Sequence, residues 1–398
     1  MYTGYKYSIP DQSEFGTWNQ ILARLGPDVI DSIDSNIGMF YPITFENTVK
    51  FIQNYTAGIE VFPLKLEIFP THICNRSCRM CIVKHYQKNG TNENTVMPFE
   101  LLRKILQDAE KKETQLITLS GGGEPSLHPE FDKILEYFTN SRMNLMLFTN
   151  GSNLSRENCS HLIAMDAIIN ISLNAGNRKE YQTITGVDAF EDIINVFKML
   201  ESVKKYNEQC HQLFNGIICA SYVVIPENVS GIAEAVGLAS EMGLDFINFK
   251  PASEIDLMFS DDDKAILADQ LAEIQNKKWN TKVVFSKNMK IFYESVKRPL
   301  PVSKRCFQGL ISLNIDANGT IFPCPVQTSK STFVITKLSE NSLEKFVTFE
   351  KYQLWPQLID NKLPVHTGCF NDQSNVVLNW IYDLLIKYPN ITFERYKK

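Results

Sequence analysis

The sequence predicts an α/β chain: a partial (βα)6 TIM-like barrel followed by a small C-terminal extension of β-hairpin and helix. Three observations carry this. From Leu64 onward, short apolar runs alternate with segments of helical periodicity, the pattern of parallel βα units. At 398 residues the chain is too long for one small domain and suits a large α/β domain with an appendage. Apolar residues make up 44% of it, ordinary for a globular chain with a core.

Residues 1–63 read as an N-terminal helical cap, with short helices at 15–25 and 29–37 joined by aromatic-rich connectors. A peptide-recognition module is the competing reading of this segment. The barrel is assigned to 64–296, with strands at 64–71, 116–120, 144–149, 167–174, 216–225 and 246–250. Between them Phe99, Leu102, Ile105, Leu106 and Ala109 follow helical spacing. So do Phe131, Ile134, Leu135 and Phe138, and then Ile193, Ile194, Phe197 and Leu200. Pro98 suits the first turn of the first of these helices. Residues 261–274 read as a further helix, and 297–304, with prolines among basic residues, as a linker to the extension at 297–398. There, 310–315 and 320–323 are strand-like around the turn Asp316 to Gly319. Residues 375–388 form an amphipathic helix carrying Val377, Leu378, Ile381, Leu384 and Leu385, expected to pack on the barrel.

The strands alternate. Asn170, Ser172 and Asn174 share one parity, while Ile169, Ile171 and Leu173 share the other, so one face is polar and one apolar. Thr118 with Ser120, Asn248 with Lys250, and Lys65 with Glu67 repeat the pattern. With helices covering the outside, the polar face points into the lumen, and buried polar groups need partners. For the first and last strands, a solvent-facing edge explains the alternation equally well.

Cys74, Cys78 and Cys81 lie in a C-x3-C-x2-C stretch on the turn leaving the first strand. Three thiolates there can wrap one face of a metal centre and leave a fourth position open. Thiolates select zinc or iron-sulfur clusters, and His72 and His85 nearby keep zinc as the alternative. About forty residues later, after another apolar run, comes Ser120-Gly121-Gly122-Gly123-Glu124-Pro125.

Together these stretches resemble the radical S-adenosylmethionine (SAM) superfamily, which holds a 4Fe-4S cluster on C-x3-C-x-Φ-C after its first barrel strand and binds SAM with a Gly-Gly-Glu stretch after the second. Met80 at the usually aromatic Φ position is a departure. By motif and strand order the likeness spans residues 64–252. It implies that Cys74, Cys78 and Cys81 hold the cluster and that the remaining iron takes the amino and carboxylate groups of SAM. Reductive cleavage would then give a 5'-deoxyadenosyl radical, with flavodoxin or ferredoxin as electron donor. The resemblance also implies that Gly122 and Gly123 let the backbone approach the methionyl amine. Glu124 would accept from its ammonium, and Ser172 and Asn174 would contact ribose and methionyl parts. Asn150 and Gly151 read as a turn.

Cys306, Gly319 and Cys324 form a C-x12-G-x4-C hairpin, which resembles the start of the twitch or SPASM extension that binds auxiliary 4Fe-4S clusters. Only Cys369 follows, so the resemblance implies a single auxiliary cluster on Cys306, Cys324 and Cys369. Its fourth iron would be bound by Asp372, with His366 or Gln373 as alternatives, or left open to substrate. Three ordinary buried cysteines are the competing reading. Cys159, Cys210 and Cys219 read as structural.

The net charge of −5 and the absence of any block of five like charges recommend neither nucleic acid nor a lipid surface as partner. The N-terminus lacks a basic stretch followed by an apolar core, and no apolar run approaches the ~20 residues that span a bilayer. A cytoplasmic protein is expected, and nine cysteines, an odd number, do not read as a disulfide framework. The expected function is hydrogen abstraction from a small polar substrate of sugar, aminocyclitol or nucleotide type, leading to oxidation, epimerisation or rearrangement. Peptide maturation by epimerisation or cross-linking is the rival within enzymes. A non-catalytic iron-sulfur electron carrier or sensor is the rival from another class.

Overall fold

The computed structural model describes residues 3–8, 43, 45–81, 94–210, 213–252, 259–285, 306–324, 334–338, 343, 372–387 and 392–397. Strand β1 (Thr3–Ser8) and helix α1 (Phe45–Thr56) precede the main sheet. Seven strands follow, each parallel to its neighbours: β2 (Lys65–Ile68), β3 (Leu116–Leu119), β4 (Asn144–Thr149), β5 (Ile168–Ser172), β6 (Ile217–Val224), β7 (Phe246–Pro251) and β8 (Lys282–Phe285). The crossovers carry α2 (Phe99–Lys111), α3 (Phe131–Thr139), α4 (Arg156–Ala164), α5 (Arg178–Thr185), α6 (Phe190–Gln209), α7 (Ile232–Glu241) and α8 (Asp261–Gln275). The chain ends with α9 (Gln308–Ile311), β9 (Ser312–Ile315), β10 (Thr320–Phe322), β11 (Thr336–Lys337), α10 (Asp372–Lys387) and β12 (Thr392–Lys397). β12 pairs antiparallel with β1 as a separate two-stranded sheet. Among the described residues no helix is long and apolar enough to cross a membrane.

All six expected strands form, and β8 adds a seventh whose residues are half-buried or exposed at the sheet's edge. The helices expected at 15–25 and 29–37 lie outside the described residues. The hairpin starts two residues later than its apolar run suggests. Leu310 and Ile311 sit instead in a helical turn, their backbone N–H groups donating to Phe307 O. Nor is the hairpin a sheet of its own: β9 pairs in parallel with β2, Asn314 level with Glu67, giving a ten-stranded mixed sheet in the order β11-β10-β9-β2-β3-β4-β5-β6-β7-β8.

That order has two ends, so the described strands form no closed ring, but the sheet is curled. Five inter-strand steps of ~4.8 Å would place β2 and β7 about 24 Å apart in a flat sheet. Yet Glu67 on β2 is close enough to Lys250 on β7 to favour its charged form, and Lys250 Nζ lies 6.0 Å from the centre of the Phe148 ring on β4.

Strand parity sorts the two faces. Leu66, Ile68, Ile117, Leu119, Leu147, Ile169, Ile171, Ala220, Ile247 and Phe249 share the outer face and pack with Leu102, Ile105, Ile134, Leu135, Ile193 and Phe197 of the helices into one core. Full burial stabilises each such side chain by roughly 1.5–3 kcal/mol. Capping boxes at Ser155 and Ser260 start α4 and α8, and Gly186 at φ 76° stops α5 in the left-handed conformation. The inner face is layered: Leu116, Met146 and Ile168, joined by Ile43, fill its N-terminal end. Glu67 and Thr118 stand level with Met146, and Ser120, Asn170, Ser172, Ser221, Asn248 and Lys250 lie further toward the C-terminal ends of the strands.

One buried acid braces this upper rim. Glu180 Oε2 accepts from Gly176 N at 2.6 Å and faces the Tyr222 hydroxyl at 3.2 Å. That hydroxyl donates to Asn228 O at 2.6 Å, and Asn228 Nδ2 donates to Asn174 O. Burial pushes the Glu180 carboxyl up to about 7. With the tyrosine proton given to Asn228, a protonated Glu180 can donate to the phenol oxygen. The unfolded chain ionises this group near 4.5, so between pH 4.5 and about 7 the folded state binds more protons and stability falls as pH rises. Urea unfolding across that window should show this decline, and Glu180→Gln should flatten it. Equal pH slopes in the two proteins would show that Glu180 is ionised as readily in the folded state.

Candidate functional site

The C-terminal ends of β2 to β5 carry the polar loops. After β2 the chain is clamped by Phe69 N to Ile315 O, Met97 N to Pro70 O and His72 N to Thr95 O, all within 2.8–2.9 Å. It then presents Cys74 exposed and Cys78 and Cys81 half-buried. The cysteine loop docks on the end of α5, with Ser77 N and Arg79 N donating to Thr185 O and Ile184 O. Met80, at the position expected to be aromatic, is buried with Ile184, Ile225 and Ala252, so it seats the loop by apolar packing. Asn75 connects the loop to the end of β4: Asn150 Nδ2 donates to its Oδ1 and its own Nδ2 donates to Ser152 Oγ. Gly151, at φ 76°, opens a turn closed by Leu154 N donating to Gly151 O, while Asn150 precedes that turn and bridges the two loops.

Arg76, between the first two cysteines, is a site residue that the spacing argument passed over. It is buried. Nε donates to the Tyr181 hydroxyl at 3.2 Å and Nη1 to Asn75 O, while Nη2 is buried without a partner among the described residues. The sequence signal was only an arginine within a metal-type loop.

The glycine loop after β3 rests on the two residues that precede Cys74. A Cβ at Gly122 would stand 2.2 Å from the His72 imidazole, one at Gly123 would stand 2.2 Å from Ile73 O, and Glu124 N donates to Ile73 O at 2.8 Å. The close approach that requires glycine is therefore to the chain itself. His72 is buried, and its Nε2 hydrogen-bonds Asp316 Oδ1 at 2.5 Å, in the β9–β10 turn. That contact takes up one ring nitrogen of His72; His85 lies outside the described residues. Among the described residues no three His, Cys, Asp or Glu side chains converge as around one ion. The donor set and its loop suit thiolates spread over a multi-iron cluster.

Glu124 is 3% exposed. Its Oε1 accepts from Ser126 N, Ser126 Oγ and Thr149 Oγ1, and its Oε2 from Asn150 N at 2.6 Å. The four donors come from the chain and tie the glycine loop to the end of β4. A carboxylate has about four acceptor directions, and only one of the four donors falls on Oε2. Ser172 is half-buried at the end of β5, level with Ser221. Asn174 adopts φ 55°, which asparagine tolerates, and its Oδ1 accepts from Val223 N.

Cys306 and Cys324, both half-buried, flank the hairpin, whose Gly319 turns at φ 81°. Cys369 and His366 lie outside the described residues. Asp372 and Gln373 open α10, but their side chains are not described. Cys159 and Cys219 are buried, and burial pushes the Cys159 thiol up to about 12 and the Cys219 thiol higher still. Cys210 is exposed at the end of α6.

Residues 68–239 match the family model of the Radical SAM superfamily. GTP 3',8-cyclase of Pectobacterium atrosepticum is 29% identical over 134 residues, 33% of this chain and 40% of that protein. Mycofactocin maturase MftC of Mycobacterium tuberculosis is 24% identical over 195 residues, 49% of this chain and 46% of that protein. The chain thus matches less than half the length of these relatives. SuiB of Streptococcus suis bound to S-adenosylmethionine aligns with a TM-score of 0.57 at 17% identity, covering 76% of this chain and 68% of that one. At such identity the likeness is one of fold.

Glu124→Gln replaces one acceptor oxygen by a donor against four chain donors. Hydrogen bonds to charged groups contribute about 1.5–3 kcal/mol, so urea unfolding should show a loss of that size. An unchanged unfolding free energy would mean that the carboxylate does not hold the two loops together.

Proposed function

On the premise that this chain carries a radical SAM domain with a SPASM-like extension, we propose that it is an enzyme acting on a small polar substrate held inside a partial (βα)-barrel. Sugar, aminocyclitol and nucleotide types fit the reading, with oxidation, epimerisation or rearrangement as outcome. The observation that carries it is the inner face: polar side chains predominate toward its C-terminal end, beside the three-cysteine loop, with Leu116, Met146 and Ile168 packed toward the other end. When bound, the cluster supplies an electron to SAM, whose cleavage yields the radical that abstracts hydrogen.

The chain's residues have distinct tasks in this reading. Cys74, Cys78 and Cys81 hold the cluster, and Met80 seats their loop. Gly122 and Gly123 bring the loop after β3 against the cysteine loop, where its backbone meets the methionyl amine. Glu124 fixes that loop and offers its remaining lone pair, and Ser172 and Asn174 line the cofactor's ribose and methionyl side. Arg76, whose Nη2 is buried and unpartnered, is suited to an anionic group there. Cys306, Cys324 and Cys369 hold one auxiliary 4Fe-4S cluster with Asp372 on the fourth iron; His366 and Gln373 are the alternatives. The division into a cap at 1–63, barrel at 64–296 and extension at 297–398 belongs to the same reading, as do a cytoplasmic setting and a flavodoxin- or ferredoxin-type electron donor. Peptide maturation is the second reading, favoured by the likeness to SuiB, which is also seen bound to precursor peptide SuiA with a TM-score of 0.55.

Reduced, reconstituted protein should release 5'-deoxyadenosine from SAM, which an electron carrier would not do. Replacing Cys74, Cys78 and Cys81 by Ala should abolish release, and undiminished release would remove these residues from the cluster. Iron analysis should give about eight irons per chain, the sum of two four-iron clusters. Replacing Cys306, Cys324 and Cys369 should halve the iron while SAM is still cleaved, and Asp372→Ala should alter the auxiliary cluster's spectrum with its iron retained. A wild-type content near four irons would overturn the second cluster.

A further inference from the structure

Lys250 ends the inner face of β7. It is partly accessible yet deep within the molecule, and burial pulls its ammonium below the usual lysine range. Among the described residues no carboxylate is in ion-pairing distance of it. Glu67 is the acid that it feels, but Glu67 Oε1 already accepts from Ser120 Oγ at 2.7 Å, and Oε2 pairs with Lys65 Nζ at 3.4 Å. The ammonium instead lies over the Phe148 ring.

Among the described residues two further inner-face groups lack partners. Thr118 is fully buried with Oγ1 unpartnered, and Asn170 is 7% exposed with Oδ1 unpartnered. On the inner face Thr118 stands level with Glu67 and Met146, and Asn170 one inward step further along, level with Phe148. Lys250 is near both Glu67 and Phe148. Buried polar groups in folded proteins are overwhelmingly hydrogen-bonded, so this constellation needs an occupant. An ammonium asks for an anion, an amide oxygen for an O–H or N–H, and a threonine hydroxyl accepts either.

We propose that Lys250, Thr118 and Asn170 form a binding subsite for a compact hydroxylated or aminated molecule bearing an anionic group, carboxylate or phosphate. Lys250 takes the anion, Asn170 Oδ1 and Thr118 Oγ1 take adjacent hydroxyls or amines, and Phe148 walls the site. This names the substrate class of the proposed enzyme and rests on that reading only for calling the occupant a substrate.

The test is calorimetric titration of reconstituted protein with gluconate, glucose 6-phosphate and neutral glucose. At least one anion should bind while glucose does not, and which of the two binds separates carboxylate from phosphate. Lys250→Met should weaken the anion about tenfold or more, as removal of a hydrogen-bonded charge implies. Thr118→Val should weaken it less, and Lys250→Arg should recover most of the affinity, which also shows that the site folds with a cation present. Three outcomes overturn the proposal: neither anion binds, wild type and Lys250→Met bind alike, or Lys250→Met weakens SAM in place of the anion, which would give Lys250 to the cofactor. Anion binding without SAM cleavage would leave the subsite standing and remove the radical chemistry. Cleavage without anion binding would do the reverse.

Discussion

The hydrogen bond between His72 and Asp316 joins three distant parts of the chain at one buried point. Asp316 belongs to the turn between β9 and β10, and His72 stands two residues before the first cysteine. The glycine loop packs on the His72 ring and on the backbone beside it. The cysteine loop, the loop after β3 and the C-terminal hairpin therefore have little freedom to move independently, because a shift in one opens a polar gap in a dry region, where unpaired groups are costly. The parallel pairing of β9 with β2 reinforces the junction through the backbone. The hairpin is thus part of the platform that presents the cysteine loop.

The inner face divides by height. Leu116, Met146 and Ile168 pack toward the N-terminal ends of the strands, with Lys65 and Thr118 level with them, and polar side chains predominate toward the C-terminal ends. An apolar end and a predominantly polar end can coexist on one face because strand parity fixes which residues point inward, while position along the strand fixes their depth. The same division appears in the loops. Glu124, Asn75 and Asn150 spend their polar atoms holding neighbouring loops in place, whereas Arg76, Thr118, Asn170 and Lys250 retain polar atoms that the chain does not satisfy or pair. The first set holds the loops together, and the second supplies the atoms on which the proposed binding roles rest.

The sequence by itself determined the six parallel strands, their flanking helices, the cysteine loop after the first strand and the glycine loop after the second. Each of these is written in local periodicity or in spacing along a few residues. It also determined the polar parity of β5, since alternation of Asn170 and Ser172 with Ile169 and Ile171 needs no partner to be legible. Only the tertiary structure decided the rest. Nothing near Ser312 says that it will pair with Lys65, about 250 residues away, because register between distant strands is set by packing and not by local pattern. Gly122 and Gly123 were legible as a loop for close approach, but what approaches them, His72 and Ile73, is fixed by the neighbouring strand. Glu124 was legible as an acceptor, and the four donors that claim it come from its own loop and from the end of β4. Which polar atoms stay unpartnered on Arg76, Thr118 and Asn170 is a property of all the groups around them, and no single stretch of sequence contains it.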